Sequence, residues 1–336
     1  LPPVPLWKVT GSDGVFNSGD YLLFYAQGPV SWSPNSNYSL LTRTRNHYSD
    51  KAYYFLGERA EGSMQAQRTN TTLTPNRTVS TYTDLLLHEK ELINMGELVK
   101  NSGTGRELYG EDLYTNPRQS FSFTVDDIDT TALSTLLIEA AAYNSATSYA
   151  NVHVNGVRMS PLSMAGLNTA NSQNYTYGSS SSRTITFRPT SPTVKVDVEY
   201  MPYGNASTPR AYLNFIQLNL RRPLKATNTP FTFRDPGSVE VGGVATFQLA
   251  QASSNTLVFD VTDPVGMTLM EGNLEGSTFR FVASTATLRE YACVNLDGNI
   301  PKPAIEGSVP NQNIHTHQPD MVIIVPPAFQ EQALRL

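Results

Sequence analysis

The most conspicuous shortage in this sequence of 336 residues is cysteine, which occurs once, as Cys293. A disulfide within the chain is therefore excluded. Such a composition is typical of reducing compartments, but it also suits the many exported bacterial proteins that use no disulfides. Cysteine content alone leaves the compartment open.

Charge is also scarce, at 16% of residues, with a net value of −5 and no run rich in Lys or Arg. A surface that follows a phosphate backbone needs clustered cations, so nucleic acid is excluded as an expected partner. No apolar stretch approaches the roughly 20 residues of a membrane-spanning helix. Aromatic residues make up 10% of the chain. Together with abundant Asn, Ser and Thr, they favour exposed β-sheets and an extracytoplasmic protein.

Motifs for catalysis or cofactor binding are missing as well. The sequence has no G-x-S-x-G, no P-loop and no G-x-G-x-x-G. His88-Glu89 begins like a zinc-protease helix, but Leu92 stands where the second histidine belongs. His315 and His317 could hold a metal between them, although a solvated pair in a linker explains them better.

Two further candidates have ordinary structural explanations. Asp126, Asp127 and Asp129 lack the glycine and distal glutamate of a calcium loop, and a turn accounts for them equally well. Cys293 alternates with Tyr291 on the apolar side of a predicted strand, which indicates a core thiol. We therefore expect no catalytic residue, no metal and no cofactor within residues 1–336.

What the sequence does contain is period-2 alternation of apolar and polar residues over most of its length. It is clearest at 121–125, 194–200 and 216–220, and again at 245–249, 257–261, 279–281 and 291–293. Asn155-Gly156 after "NVHV" predicts a two-residue hairpin turn. A helix is predicted that is capped by Asp84 and runs through Val99. The fold class is thus mainly β, with tandem β-sandwich or jelly-roll domains.

Polar connectors flanked by proline suggest three domains. We assign 1–222 to a jelly-roll-like region with a separable part at 1–85, and 223–317 to a β-sandwich with its linker. Residues 318–336 are assigned to the start of another domain. There, Met321 to Val325 has the apolar run of a buried parallel strand, and the apolar spacing after Pro326-Pro327 predicts a helix. A parallel strand needs neighbours, so this segment reads as the first strand and helix of a truncated α/β domain.

Four stretches resemble the gingipain-type cysteine peptidases, and among them the surface sortases of the type IX secretion system. They occur in the order of that family: "VFNSGDYLLFYAQGPVSWS" with "NHYSDKAYYFL", "HEKEL" with "SGTGRELYGEDL", "NTLVFDVTDP" with "ASTATLREYACVN", and "VPNQNIHTHQPDMVIIVPPAFQEQALRL". One departure is Leu108, where a tryptophan is expected.

The resemblance implies that "DMVIIV" opens a caspase-like peptidase domain whose His–Cys dyad lies downstream of Leu336. Proteins of this kind remove the C-terminal signal domain from secreted cargo and attach the cargo to anionic lipopolysaccharide. The implied location is the cell surface of a Gram-negative bacterium, at the outer membrane. The implied partners are other subunits of the attachment complex, cargo C-terminal domains, and lipopolysaccharide or glycan. Residues 1–336 would then serve docking or positioning and be inactive by themselves.

Loops rich in aromatic and amide residues supply the predicted contact surface, which comprises Trp32, Tyr38, Tyr175 and Tyr177. Two other functions stay open at this point. One is a glycan-binding β-sandwich module, in which Trp32 with Tyr175 or Tyr177 stacks on sugar rings. The other is an inhibitory prodomain that covers the peptidase cleft.

Overall fold

The structure is a computed structural model that describes residues 3–11, 13–57, 64–69, 71–95, 107–168, 177–203, 209–310, 318 and 320–335. It is mainly β. The chain forms two compact units, Leu1–Ile300 and Pro301–Leu336, which are described separately. Among the described residues, no helix is long and apolar enough to cross a membrane.

The first unit contains the strands β1 to β22. Their bounds are β1 Trp7–Val9, β2 Tyr21–Leu23, β3 Val30–Pro34, β4 Leu41–Arg45, β5 Gln67–Thr69, β6 Arg77–Val79, β7 Thr81–Glu89, β8 Arg118–Thr124, β9 Ser134–Tyr143, β10 Ser148–Val154, β11 Val157–Arg158, β12 Leu162–Met164, β13 Ser179–Phe187, β14 Thr193–Met201, β15 Arg210–Pro223, β16 Phe231–Phe233, β17 Val244–Leu249, β18 Thr256–Asp260, β19 Thr268–Met270, β20 Asn273–Glu275, β21 Thr278–Ser284 and β22 Tyr291–Asn295. A 3₁₀ turn spans Pro236–Ser238.

Strands β7 to β15 build a first sandwich of two antiparallel sheets. One sheet has the order β11-β10-β14-β8, with β12 on β10, and the other has the order β13-β9-β15-β7. Alternate side chains of each strand fill the space between the sheets, among them Leu136, Val152, Val196 and Leu218. The strands predicted at 121–125, 194–200 and 216–220 are confirmed.

The hairpin predicted at Asn155-Gly156 is also confirmed, since β10 pairs with β11 across these two residues. Asn155 has φ 49° and Gly156 has φ 79°, the positive values that a two-residue turn of the primed type requires. Space is not the reason for glycine here, because a Cβ at position 156 would meet nothing within 4 Å.

We expect Gly156→Ala to lower the free energy of unfolding by about 1 kcal/mol, because alanine disfavours the left-handed backbone conformation. Urea denaturation measures the change. Gly28→Ala is the matched control, since position 28 is equally open but lacks a positive φ. Equal stability of the two variants would show that the turn tolerates a Cβ at no cost.

Strands β16 to β22 form a second sandwich. Its sheets have the orders β16-β22-β18-β19-β5 and β20-β21-β17-β6. The strands predicted around 245–249, 257–261, 279–281 and 291–293 are all present. Two edge strands come from much earlier in the chain, because β5 pairs in parallel with β19 and β6 pairs in parallel with β17.

The helix predicted from Asp84 is wrong, because Thr81–Glu89 is strand β7, paired along its length with β15. Residues 96–99 lie outside the described residues. Leu85, Leu86 and Leu87 are all partly buried. A strand covered on both faces has a continuous apolar run, which periodicity cannot distinguish from a helix.

The second unit, Pro301–Leu336, contains a 3₁₀ turn at Pro327–Phe329 and the single-turn helix α1, Gln330–Ala333. The strand predicted at Met321–Val325 is not formed, and Ile324 is 96% exposed. No described strand of this unit lies beside the segment to pair with it. Parallel pairing needs such a neighbour, which explains why the apolar run stays outside a sheet.

Candidate docking surface

The outer face of the sheet β13-β9-β15-β7 carries a row of buried polar side chains. Ile216, Leu218 and Leu220 of β15 point into the core, so Gln217 and Asn219 point to the opposite side. Both amides are buried, because strand β4 lies over them. We call Glu89, Phe215, Gln217 and Asn219 the amide face.

The amides of this face bind the main chain of β4. Leu41 donates its N–H to Asn219 Oδ1 at 3.0 Å, and its carbonyl accepts from Asn219 Nδ2 at 3.3 Å and from Gln217 Nε2. The N–H of Arg43 donates to Gln217 Oε1 at 3.2 Å. Two side chains thereby satisfy three main-chain groups of one extended segment, and Leu41 is fully buried beneath it.

Two arginines of β4 neutralise the acid of the amide face. The guanidinium of Arg43 lies 4.2 Å from the ring centroid of Phe215 and forms an ion pair with Glu89. Arg45 lies 3.6 Å from Glu89 and 3.5 Å from Glu91. Burial raises the pKa of Glu89, and the two arginines oppose that shift only in part.

His88, the histidine of the incomplete zinc motif, is held by a carboxylate. Its Nε2 lies 2.9 Å from Glu111 Oε1, and its ring lies 4.6 Å from that of Phe121. Lys90 is 3.0 Å from the same carboxylate. Burial acts to raise the pKa of Glu111, but hydrogen bonds from Lys90 and His88 outweigh it and lower the pKa. Within the described ranges, no group of three or more His, Cys, Asp or Glu could hold a metal ion. His315 and His317 lie outside those ranges.

A strongly exposed apolar segment, which we call the aromatic loop (residues 48–56), follows the hairpin β3–β4. Tyr48 is 92% exposed, Phe55 66% and Leu56 95%. Exposed apolar side chains that lie this close in sequence are typical of a surface that contacts another molecule. The sequence did not predict that these residues are exposed, because an apolar run such as "AYYFL" is equally typical of a buried strand.

The predicted contact residues are distributed over the first unit. Trp32 on β3 and Tyr38 in the turn of the same hairpin are both half-buried. Tyr177, just before β13, is 37% exposed. Tyr175 lies outside the described residues. Trp32 and Tyr38 belong to the same hairpin, and their role in contact stays a prediction.

The aspartates at 126–129 belong to a turn. Asp129 Oδ1 accepts from the N–H of Thr131 at 2.9 Å and from its hydroxyl at 2.6 Å. These hydrogen bonds lower the pKa of Asp129. Asp127 pairs with Lys225 at 3.0 Å. Local hydrogen bonds therefore account for Asp129, and an ion pair accounts for Asp127.

Cys293 lies in the core of the second sandwich and is 1% exposed, as predicted. Burial raises the pKa of its thiol to about 12. A thiol in this state is not the thiolate that nucleophilic catalysis requires.

We expect a thiol reagent such as Ellman's reagent to leave Cys293 unmodified in the native protein at pH 8, and to modify it at once in 6 M guanidinium. The physical reason is the lack of both access and thiolate. Stoichiometric modification of the native protein within minutes would contradict the burial of this thiol.

A cleft of about 570 Å³ opens at one side of the second sandwich, between β19 and β21. Its charged residues are already engaged. Arg68 lies 3.7 Å from Glu271 and 5.0 Å from the Trp7 ring centroid, and Arg280 pairs with Glu275. The cleft therefore indicates no particular class of ligand.

Comparison with known proteins gives a strong structural likeness. No protein-family model matches the chain, and no curated protein does. The crystal structure of dimeric latent PorU from Porphyromonas gingivalis matches with a TM-score of 0.79 and 23% identity. The match covers 94% of this chain and 29% of that one, so the chain spans less than a third of PorU.

Two carbohydrate-binding modules match much more weakly. A CBM36-1 domain of a xylanase from the hindgut metagenome of Trinervitermes trinervoides has a TM-score of 0.23, with 10% identity over 40% of this chain and 96% of its own. A family 35 module from Clostridium thermocellum has a TM-score of 0.24, with 14% identity over 42% and 98%. Scores this low carry no argument about function. The chain has the fold of a part of PorU.

Proposed function

We propose that this chain is a non-catalytic docking region of a cell-surface C-terminal signal peptidase and sortase of the type IX secretion system. The observation that carries the proposal is the likeness to PorU over 94% of the chain. The exposed aromatic loop adds support, since it offers apolar contact area on the surface of the first unit.

The proposed chemistry belongs to the whole protein, with a His–Cys dyad outside residues 1–336. A cysteine thiolate would attack the carbonyl that joins cargo to its C-terminal signal domain and release that domain as the leaving amine. Water or an amine of anionic lipopolysaccharide would then resolve the thioester. Cys293 and His88 take no part, because one is buried and the other is bound to Glu111.

The proposed location is the outer face of the outer membrane. The proposed partners are other subunits of the attachment complex and cargo C-terminal domains. Binding of lipopolysaccharide or glycan through Trp32 and Tyr177 stays a prediction.

A second candidate, an inhibitory prodomain, is favoured by one fact about the relative, since the solved PorU is latent. Residues 301–310 are exposed and suit limited proteolysis. If nicking the full-length protein there raises cargo cleavage, the region inhibits. Unchanged cleavage favours docking.

We expect Phe55→Ser/Leu56→Ser to weaken binding of the chain to purified subunits of the attachment complex by about tenfold, because two exposed apolar side chains would no longer be buried at the contact. Biolayer interferometry measures the affinity, and urea denaturation should show unchanged stability.

Val241→Ser is the matched control, since Val241 is 97% exposed but lies in the second sandwich. It should bind like the wild type. Equal binding by all three proteins would remove the aromatic loop from the proposal. No binding to any subunit or cargo domain would reject docking itself.

A further inference from the structure

The hairpin β3–β4 has no main-chain pairing with either sandwich. In the part of the chain that the structure describes, β3 pairs only with β4, and the two form a sheet of their own. A two-stranded hairpin is marginally stable by itself. Side chains of the first sandwich therefore hold it in place, and such an element belongs to the least stable part of a fold.

The contacts to the main chain do not depend on which residues β4 carries. Gln217 and Asn219 bind the N–H and carbonyl of position 41 and the N–H of position 43. Any extended segment presents the same three groups at the same spacing. When a peptide adds to the edge of a sheet, the main chain of the edge strand forms the hydrogen bonds to it. Here the side-chain amides of Gln217 and Asn219 form such bonds from the face of the sheet.

The side-chain contacts of β4, in contrast, are selective. Position 41 is an aliphatic side chain that is fully buried. Position 43 is an arginine between the Phe215 ring and the Glu89 carboxylate. Position 45 is a second arginine, which lies 3.6 Å from Glu89 and 3.5 Å from Glu91 and also pairs with Asp50 at 2.6 Å. Thr44 points away and is exposed.

We propose that the amide face is a receptor for an extended peptide that carries an aliphatic residue followed by arginines two and four positions later, and that β4 occupies it in cis as a displaceable strap. This inference does not depend on the aromatic loop or on the peptidase assignment. The amides supply affinity for an extended main chain, while Glu89 and Phe215 select arginine.

Competition between the strap and a peptide sets the apparent affinity. A peptide binds only the fraction of molecules in which the strap is open, so the apparent Kd equals the intrinsic Kd divided by that fraction. Weakening the strap without touching the amide face must therefore tighten peptide binding.

The experiment uses a fluorescent peptide with the sequence of residues 39–46, SLLTRTRN, and the whole 336-residue chain. Anisotropy titrations compare wild type with Arg43→Ala/Arg45→Ala, in which the strap loses its arginines and the receptor stays intact. We expect the variant to bind at least about tenfold more tightly. Thr44→Ala, on the exposed side of the strap, should bind like wild type.

Two further reagents test the selectivity. The peptide SLLTATAN should bind the opened variant at least about tenfold more weakly than SLLTRTRN, because it lacks both guanidinium groups. Adding Glu89→Gln to the opened variant should reduce the preference for the arginine peptide. If the folded variant binds neither peptide, or binds both alike, the proposal fails. It also fails if the variant dimerises on size-exclusion chromatography with light scattering and binds no peptide, because the occupant is then a second copy.

If the variant does not fold, hydrogen exchange on the wild type tests whether the strap opens. The N–H groups of Leu41 and Arg43, both bonded to the amide face, should exchange through local opening, faster than the core amides of Ile138 and Leu218. Excess SLLTRTRN should accelerate them further. Exchange at the rate of the core amides would show that the strap does not open, and would overturn the proposal.

Discussion

Replacing Phe281 by alanine is expected to lower the free energy of unfolding by about 3–5 kcal/mol. The Phe281 ring stacks on Phe247 at 5.0 Å with an interplanar angle of 6°, and meets Tyr291 edge-on at 5.2 Å. These three rings join the two sheets of the second sandwich. The substitution removes buried apolar surface and leaves a cavity that the surrounding sheets cannot close.

Urea denaturation followed by tyrosine and tryptophan fluorescence measures this loss. Phe55→Ala is the matched control, because Phe55 is exposed in the aromatic loop, and it should change stability by less than about 0.5 kcal/mol. A loss below about 1 kcal/mol for Phe281→Ala would mean that the aromatic cluster repacks, contrary to the tight stacking seen here.

Several strands of the two sandwiches could be predicted from the sequence, because their apolar residues alternate with polar ones and face the core. From Val194 to Tyr200, apolar residues alternate with Lys, Asp and Glu. The structure buries the apolar residues of this strand and leaves the charged ones at least partly accessible. The Asn155-Gly156 turn was predictable for a local reason too, since only its two positive φ values matter.

Strand partners were beyond sequence reasoning. Periodicity shows that a segment is a strand but not which strand lies beside it. Strands β5 and β6 add parallel edges to sheets whose other strands lie after residue 230. The prediction for strand β7 was wrong for a different reason. Both faces of this strand are covered, so its residues show no alternation of apolar and polar types.

The amide face was missed because its residues look like those of a wet face. Gln217 and Asn219 alternate with Ile216, Leu218 and Leu220, and such a pattern predicts exposure on the polar side. Their actual partner, Leu41, lies 178 positions from Asn219 along the chain. The residue types at positions 217 and 219 gave one indication of burial. They are Gln and Asn, whereas Ser, Thr and Lys are more usual on an exposed strand face.

An ion pair and a main-chain hydrogen bond cross the junction between the two sandwiches. Arg221, at the end of β15, lies 2.6 Å from Asp235 and 3.1 Å from the Thr83 hydroxyl. Arg222 pairs with Asp84 at 2.6 Å within the first sandwich and so does not cross the junction. The N–H of Thr83 donates to the carbonyl of Arg234 at 3.0 Å. These two crossing contacts, Arg221 to Asp235 and Thr83 to Arg234, tie strands β7 and β15 to the segment that follows β16.

Removing Asp235 is therefore expected to lower the free energy of unfolding by about 3 kcal/mol, because it leaves the Arg221 guanidinium without its acid in a largely buried position. The Asp235 side chain is only 6% exposed. A double-mutant cycle with Arg221→Ala and Asp235→Ala should give a coupling energy of about 2 kcal/mol, since the second removal no longer strands a charge.

The pair Arg280 and Glu275 is the matched control, because Glu275 is exposed and Arg280 only partly buried, and its cycle should give about 0.5 kcal/mol or less. Scanning calorimetry adds a readout that a simple loss of stability would not change. If the junction couples the sandwiches, Asp235→Ala should split a single unfolding transition into two, since each sandwich has its own core. A coupling energy no larger than the control, with one transition retained, would show that packing rather than this ion pair joins the two sandwiches.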